Sequence, residues 1–293
     1  MPAGQRLNSV LQIRMGGLRD FEANVDTKIV ADWLVLADLL RELRVPIEGS
    51  HFLEIGTGWF PTLPCCFAIA GAKGCHTFDV TRHLDWGLTE RMLARLEAHL
   101  PIIAARLDTN ETVVRERWRR MAAATDLGEF LRISRIAYHA PADAATANLA
   151  AASIDIVFSN SVLEHVPAVS IAGLMRETRR VLRRDGVAIH SVNCGDHYAY
   201  FDRKITQIHY LRYGELHWSF WNNALQYQNR LRANDFIEIA ERAGLSVVLN
   251  RQKPRAELLE RIDSMPIAKP FRRYSREQVC TTSVDFVARR QTE

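Results

Sequence analysis

The chain has 293 residues, 47% of them hydrophobic and 25% charged, with a formal net charge of +4 and a pI near 8.9. That is ordinary globular composition with ample material for a core. The basic residues fall in scattered arginine pairs at 119–120, 179–180, 183–184, 272–273 and 289–290, with no block long enough for a nucleic-acid arm. No long apolar stretch and no hydrophobic signal core are present, so a soluble cytoplasmic protein with no membrane association is expected. Cys65, Cys66, Cys75, Cys194 and Cys280 are odd in number and lack CxxC spacing. They read as reduced thiols rather than a disulfide frame or zinc site, and no metal is expected.

Residues 1–48 read as a helical N-terminal segment. Within 26–45, Val30, Trp33, Leu34, Leu36, Leu39, Leu40 and Leu43 recur at spacings of three and four. A polar turn, Glu48-Gly-Ser50, then leads into Phe52, Leu53 and Ile55, an apolar run too short for a helix and suited to a buried strand. It stops at Gly56 and Gly58, where a ligand can approach backbone that carries no Cβ. Residues 62–71 are small and apolar and can start a helix facing the same space. Strand, glycine turn and helix together form the first unit of a nucleotide-type α/β site. The dinucleotide fingerprint needs a third glycine, and Pro61 stands there instead. Gly74–Val80 predicts a second strand ending at Asp79, about 20 residues past the turn, where an acid can accept from both ribose hydroxyls. Residues 82–134 hold helical patterns around 87–104 and 111–124, and Ile133–Tyr138 predicts a third strand.

Residues 153–160 (SIDIVFSN) form the clearest strand. After Ser161-Val-Leu-Glu-His165 a helix is expected over about 168–183, then a fifth strand over 187–192. The order E-I-G-T-G, D-V, S-I-D-I-V-F-S-N-S-V-L-E-H-V, R-R-D-G resembles the class I S-adenosylmethionine-dependent methyltransferases across residues 50–193. The resemblance implies an α/β, three-layer Rossmann-like sandwich with a seven-stranded, mostly parallel sheet and an antiparallel last strand. The helical N-terminal segment would be followed by a methyltransferase domain over 49–293 with insertions at about 105–132, 194–232 and 251–279. The cofactor implied is S-adenosyl-L-methionine. Its contacts would come from Glu54, Ile55, Gly56, Thr57 and Gly58, from Asp79 and Val80, and from Asn160 and Ser161. Asp143 would stand beside the adenine, although P-A-D also opens a helix well as an N-cap. Ser159-Asn-Ser-Val162 replaces the proline-aromatic tetrad of nucleobase N-methylating enzymes, which argues against nucleic acid as substrate.

Residues 194–232 are dense in aromatics, His and Asn, and a loop this long is rarely idle. It is expected to be a partly helical substrate lid, with Tyr198, Tyr200, Trp218 and Trp221 either stacking on an acceptor or forming a satellite core. Its D-H…N-R-L-R arrangement looks similar to bacterial methyltransferases found with glycan and secondary-metabolite genes, which implies a small-molecule or saccharide-like acceptor. Arg230 and Arg232 can hold an anion or serve as surface ion-pair partners. A hydroxyl acceptor needs a base, and His suits that task. His197, with Asp196 beside it to raise its pKa, is the first candidate. His165 and His217 follow, each open to a capping or core role as well. The sixth strand is expected over 245–249 and the last over 284–287. O-methylation leads. N-methylation of an amine, an NAD-dependent oxidoreductase or epimerase, and a non-catalytic S-adenosylmethionine-binding module are the alternatives.

Overall fold

The computed structural model describes residues 20–222 and 227–291, so the start of the expected N-terminal helix lies outside the described residues. Helix α1 (Phe21–Thr27) begins at Asp20, whose side chain accepts from the Ala23 amide. It runs through a π-helical turn, Lys28–Trp33, into α2 (Leu34–Glu42). In that turn the Leu34 amide donates to the Ile29 carbonyl, five residues back. The extra residue rotates the apolar stripe. Ile29 and Trp33 are buried, while Val30, expected on the inner face, is exposed.

Strand β1 (His51–Ile55), helix α3 (Thr62–Ile69) and strand β2 (Gly74–Phe78) follow. Phe52 of β1 stacks on Phe67 of α3 at 4.5 Å between ring centroids. Phe67 also meets Trp33 at 6.0 Å and Phe158 of β4 (Ile154–Asn160) at 5.1 Å. Each such pair contributes roughly 0.5–1.5 kcal/mol beyond the area it buries, so this aromatic knot fixes where β1 ends and the glycine turn begins. β1 runs parallel to β2, from His51 opposite Gly74 to Ile55 opposite Phe78. β2 in turn runs parallel to β3 (Ile136–His139).

Between β2 and β3 lie α4 (Trp86–Leu96), α5 (Leu100–Arg106), α6 (Glu111–Ala122) and α7 (Leu127–Ser134). The third strand, expected from Ile133, therefore starts later. Asp126 caps α7 by accepting from the Glu129 amide, and Arg135 ends it at φ 56°. Phe130 and Ser134 are its buried face, a helical spacing that claims Ile133 before the strand can.

The described residues form two compact units, divided between Phe158 and Ser159. In the second, α8 (Ala168–Val181) passes directly into β5 (Leu182–Asn193), so the helix is shorter and the strand longer than expected. β6 (Leu245–Pro254) and β7 (Thr281–Arg290) also outrun their expected spans. The far half of β6 carries Asn250, Arg251, Gln252 and Lys253 on an exposed ribbon, so no apolar alternation announces it. The seven strands lie in the order β3-β2-β1-β4-β5-β7-β6, and β7 is antiparallel to both β5 and β6.

The stretches 194–232 and 251–279, expected as separate insertions, share one core. Ile208, Tyr210, Leu211 and Trp218 from the first pack with Leu258, Ile262, Phe271 and Val279 from the second. They carry the short helices α9 (Glu215–Trp221), α11 (Ala256–Leu259) and α12 (Arg276–Cys280), with α10 (Ala233–Arg242) between the stretches. Among the described residues no helix is long and apolar enough to cross a membrane.

Candidate functional site

In the first unit the glycine turn is built from below. Gly56 and Gly58 take φ values of 86° and 72°, a left-handed backbone that glycine adopts without strain. The Gly56 amide donates to the Phe78 carbonyl at 2.8 Å. Glu54 is buried, and its carboxyl accepts from the Thr77 hydroxyl, which also bonds to the Thr57 hydroxyl. Glu54 and Thr57 thus point under the turn and brace it, and Ile55 is buried with them. Thr77, which sequence reasoning missed, links the two. Its only signal is a hydroxyl on β2 in register with Glu54.

Above the turn, Asp79 Oδ2 accepts from the Gly58 amide at 3.0 Å and Oδ1 from the Thr81 amide at 3.1 Å. A carboxylate has about four acceptor sites, so capacity remains for two further donors such as ribose hydroxyls. A Cβ added at Gly58 would meet nothing within 4 Å, and the neighbouring Val80 is 72% exposed, an apolar face ready for a flat ring. Open backbone, a spare carboxylate and an exposed aliphatic side chain fit an adenosyl group. Asp143 is exposed, and its carboxylate accepts from the Ala145 amide at 2.8 Å, capping a short turn.

Burial pushes the Glu54 carboxyl up to about 8, against the Thr77 hydrogen bond, which lowers it. The folded protein therefore holds this proton more tightly than the unfolded chain does. Its contribution to stability is complete below about pH 4.5 and is lost as pH rises through about 8. Glu54→Gln should flatten the fall in melting temperature between pH 5 and 8, at up to about 1.4 kcal/mol per pH unit. Glu164 titrates in the same range, so a residual slope is expected in that variant.

In the second unit, β4 ends at Asn160, and Ser161 turns the chain at φ 52°, its amide donating to the Ser191 carbonyl at 2.9 Å. The short turn Leu163–His165 follows. Glu164 is 2% exposed, and neither carboxyl oxygen completes a hydrogen bond. Desolvation pushes it up to about 8. Just past β5, His197 lies with its ring 5.0 Å from that of His165 and its Nε2 buried without a partner. Burial, then the neighbouring His165, hold His197 down to about 4. The expectation that Asp196 raises it is corrected. The Asp196 carboxylate accepts from the Tyr198 amide at 2.9 Å, and burial pushes Asp196 itself up to about 6.

Three consecutive residues set this cluster. The Tyr227 carbonyl takes His165 Nδ1 at 2.7 Å. Gln228 accepts from the His197 amide at 3.0 Å and donates to the Gly195 carbonyl at 2.8 Å. Asn229 donates to the Leu163 and Val166 carbonyls at 2.7 and 2.8 Å. Sequence reasoning missed Glu164, although an acid beside His165 at the end of β4, matched by His197 past β5, was the available signal.

The remaining expected acceptor residues divide between surface and core, with Tyr198 edge-on to both Trp218 and Trp221. Tyr200 and Trp221 are exposed, with the Tyr200 hydroxyl accepting from Asn193 at 2.6 Å. Tyr198 donates to the Trp221 carbonyl at 2.7 Å. His217 is exposed on α9 and Trp218 is buried in the shared core. Neither arginine of N-R-L-R is at the surface. Arg230 is 4% exposed, paired with Glu215 at 2.7 Å and lying over the Trp218 and Phe271 rings. Arg232 is wholly buried and donates to backbone carbonyls. They hold the segment together: Arg230, expected to meet an acceptor, donates instead to the Tyr210 and Tyr213 carbonyls and to Glu215.

The strand order is that of a Rossmann-like α/β protein, and the glycine turn at the end of its first strand leaves room for an adenosyl group. The sequence matches the methyltransferase domain family over residues 85–190, a span that begins after the glycine turn and Asp79. The turn and that match are therefore separate pieces of evidence. Residues 85–190 are thus matched to a methyltransferase domain, and the cofactor this supports is S-adenosylmethionine. No protein of curated function matches the sequence. Among solved structures the chain is similar to geranyl diphosphate methyltransferase in complex with S-adenosylmethionine, at 11% identity and TM-score 0.48, covering 92% of this chain and 90% of that one. A methyltransferase of Methanosarcina mazei aligns at 12% identity and TM-score 0.46, covering 84% and 94%. The [4+2]-cyclase SpnF aligns at 15% and 0.47, covering 89% and 81%.

Proposed function

We propose that the protein methylates a hydroxyl of a small, saccharide-like acceptor. One observation carries this reading: a neutral, partnerless imidazole stands beside a recess lined by hydroxyls and amides. The His197 ring lies 5.5 Å from that of Tyr200. Tyr200 lines the recess with Ser161, Asn193, Gln207, Arg255 and Thr282. S-adenosylmethionine, when bound, supplies a methyl group already activated as a sulfonium. An amine acceptor needs little further help, whereas a hydroxyl must lose its proton as the new bond forms. Neutral His197 accepts that proton at Nε2, the ring nitrogen left without a partner. The recess matches the several hydroxyls of a sugar-like ring, and exposed Tyr200 and Trp221 offer faces on which it stacks. On this reading 194–232 serves as the substrate lid, and Asn160 and Ser161 contribute to holding the cofactor.

Labelled S-adenosylmethionine, offered with matched pairs of hydroxyl and amine acceptors, tests the reading. Transfer to the hydroxyl member is expected, with kcat lowered about 10²–10⁴-fold in His197→Ala. Transfer to the amine alone, or an unchanged kcat in the variant, overturns it. Binding of S-adenosylmethionine with no turnover on any acceptor favours a non-catalytic module.

A further inference from the structure

The cluster in the second unit holds more donor atoms than a single base requires. Glu164, His165 and His197 each present one ligand atom, all within 4.8 Å of one another. Glu164 is 2% exposed with both oxygens unpartnered, and His197 Nε2 is buried and unpartnered too. Leaving such groups without full hydrogen bonds costs about 1–3 kcal/mol each, and only the backbone amides of Glu164 and Asn193 approach the carboxyl. His165 adds a third sign. Its Nδ1 lies 2.7 Å from the Tyr227 carbonyl, which can only accept. Nδ1 must therefore carry the proton, and Nε2 keeps a free lone pair. A backbone carbonyl that fixes the tautomer in this way is the usual outer support of a metal-binding histidine. Asn229 clamps the turn that carries both Glu164 and His165.

We propose that Glu164, His165 and His197 bind a divalent first-row transition ion such as zinc, manganese or iron(II). Two imidazoles and one carboxylate suit these ions better than magnesium or calcium, which favour oxygen ligands throughout. Donors about 2.1 Å from an ion stand about 3–3.5 Å apart in a tetrahedral set, so side-chain rotations closing at most about 1.3–1.8 Å complete the site. Exposed His165 leaves the ion a way in. Three protein ligands leave a coordination position open. The acceptor oxygen takes that position, and the ion lowers its pKa. The O–H proton leaves to solvent, and the O–CH3 bond forms as the S–CH3 bond breaks. With the ion bound, His197 serves as a ligand and the ion takes over the activation that the free imidazole supplies in its absence. That task rests on the proposed hydroxyl methylation, whereas binding of the ion does not.

The test is binding, measured without acceptor. Protein stripped with a chelator is titrated with cobalt(II), followed by its visible absorption, and with zinc by equilibrium dialysis and elemental analysis. The expected result is about one ion per chain, bound more than about tenfold more weakly in both Glu164→Gln and His197→Ala. Circular dichroism and S-adenosylmethionine affinity confirm that each variant is folded. No saturable binding by the wild type, or unchanged affinity in folded variants, overturns the proposal. Stoichiometric binding without methylation of any hydroxyl supports the site and overturns the proposed function instead.

Discussion

Asp79→Ala is expected to bind S-adenosylmethionine about 10²–10⁴-fold more weakly than the wild type while remaining folded. The carboxylate already orders the turn through the Gly58 and Thr81 amides. Its remaining lone pairs have capacity for two further donors, the role the ribose hydroxyls would take. Hydrogen bonds to a charged acceptor contribute about 1.5–3 kcal/mol each, and each 1.4 kcal/mol is about tenfold in affinity. Losing two therefore removes most of the binding. Stability should fall little. Asp79 is only partly buried, so the freed amides reach water at a cost of about 1 kcal/mol. Calorimetric titration of wild type and variant with S-adenosylmethionine, and separately with NAD, measures this. Equal affinity in the two proteins would remove Asp79 from the site. Tighter binding of NAD would return the glycine turn to the dinucleotide reading that Pro61 argues against.

What the sequence makes legible is local. The run ending at Gly56 and the run at 153–160 stand out because short buried strands are bounded by residues that cannot continue them. Asp79 follows from its distance to the turn. The boundary between α7 and β3 is hidden because Ile133 suits either element, and Ser134 decides it by packing at helical spacing with Phe130. The outer half of β6 is hidden because its exposed side chains look like loop. The N-R-L-R arginines are misplaced for a different reason. An arginine is buried when carbonyls from distant stretches converge on it, and no window of sequence displays that convergence. Their burial also changes what the likeness of this segment means: it bears on how the segment is held together more than on what it binds. Glu164 is hidden between Leu163 and His165 in a stretch that reads as a helix start, and only Asn229, 65 positions later, clamps the turn that presents it.

Arg232→Ala should destabilise the second unit by about 3–5 kcal/mol, within the range for breaking a buried charged network. The guanidinium donates to the carbonyls of Cys194, Gln278, Val279 and Thr281 and to the Tyr210 hydroxyl. It thereby joins the end of β5, the 194–232 segment and the start of β7. Truncation leaves a cavity and several carbonyls without donors, with no water nearby to replace them, since Arg232 is wholly buried. Lysine keeps the charge but lacks the planar fork that serves several acceptors, so Arg232→Lys should recover only part of the loss. At roughly 2 °C per kcal/mol for a chain of this size, the alanine variant should melt about 6–10 °C lower. Trp218 sits in the same core and reports it by fluorescence. The consequences should divide by unit. Asp79 and the glycine turn lie outside the clamp, so S-adenosylmethionine should still bind below the melting transition. His197 lies three residues past Cys194, whose carbonyl Arg232 holds, so turnover on acceptor should fall. A melting temperature within about 1 °C of wild type would show that the carbonyls find other donors and that the clamp is not what seats His197.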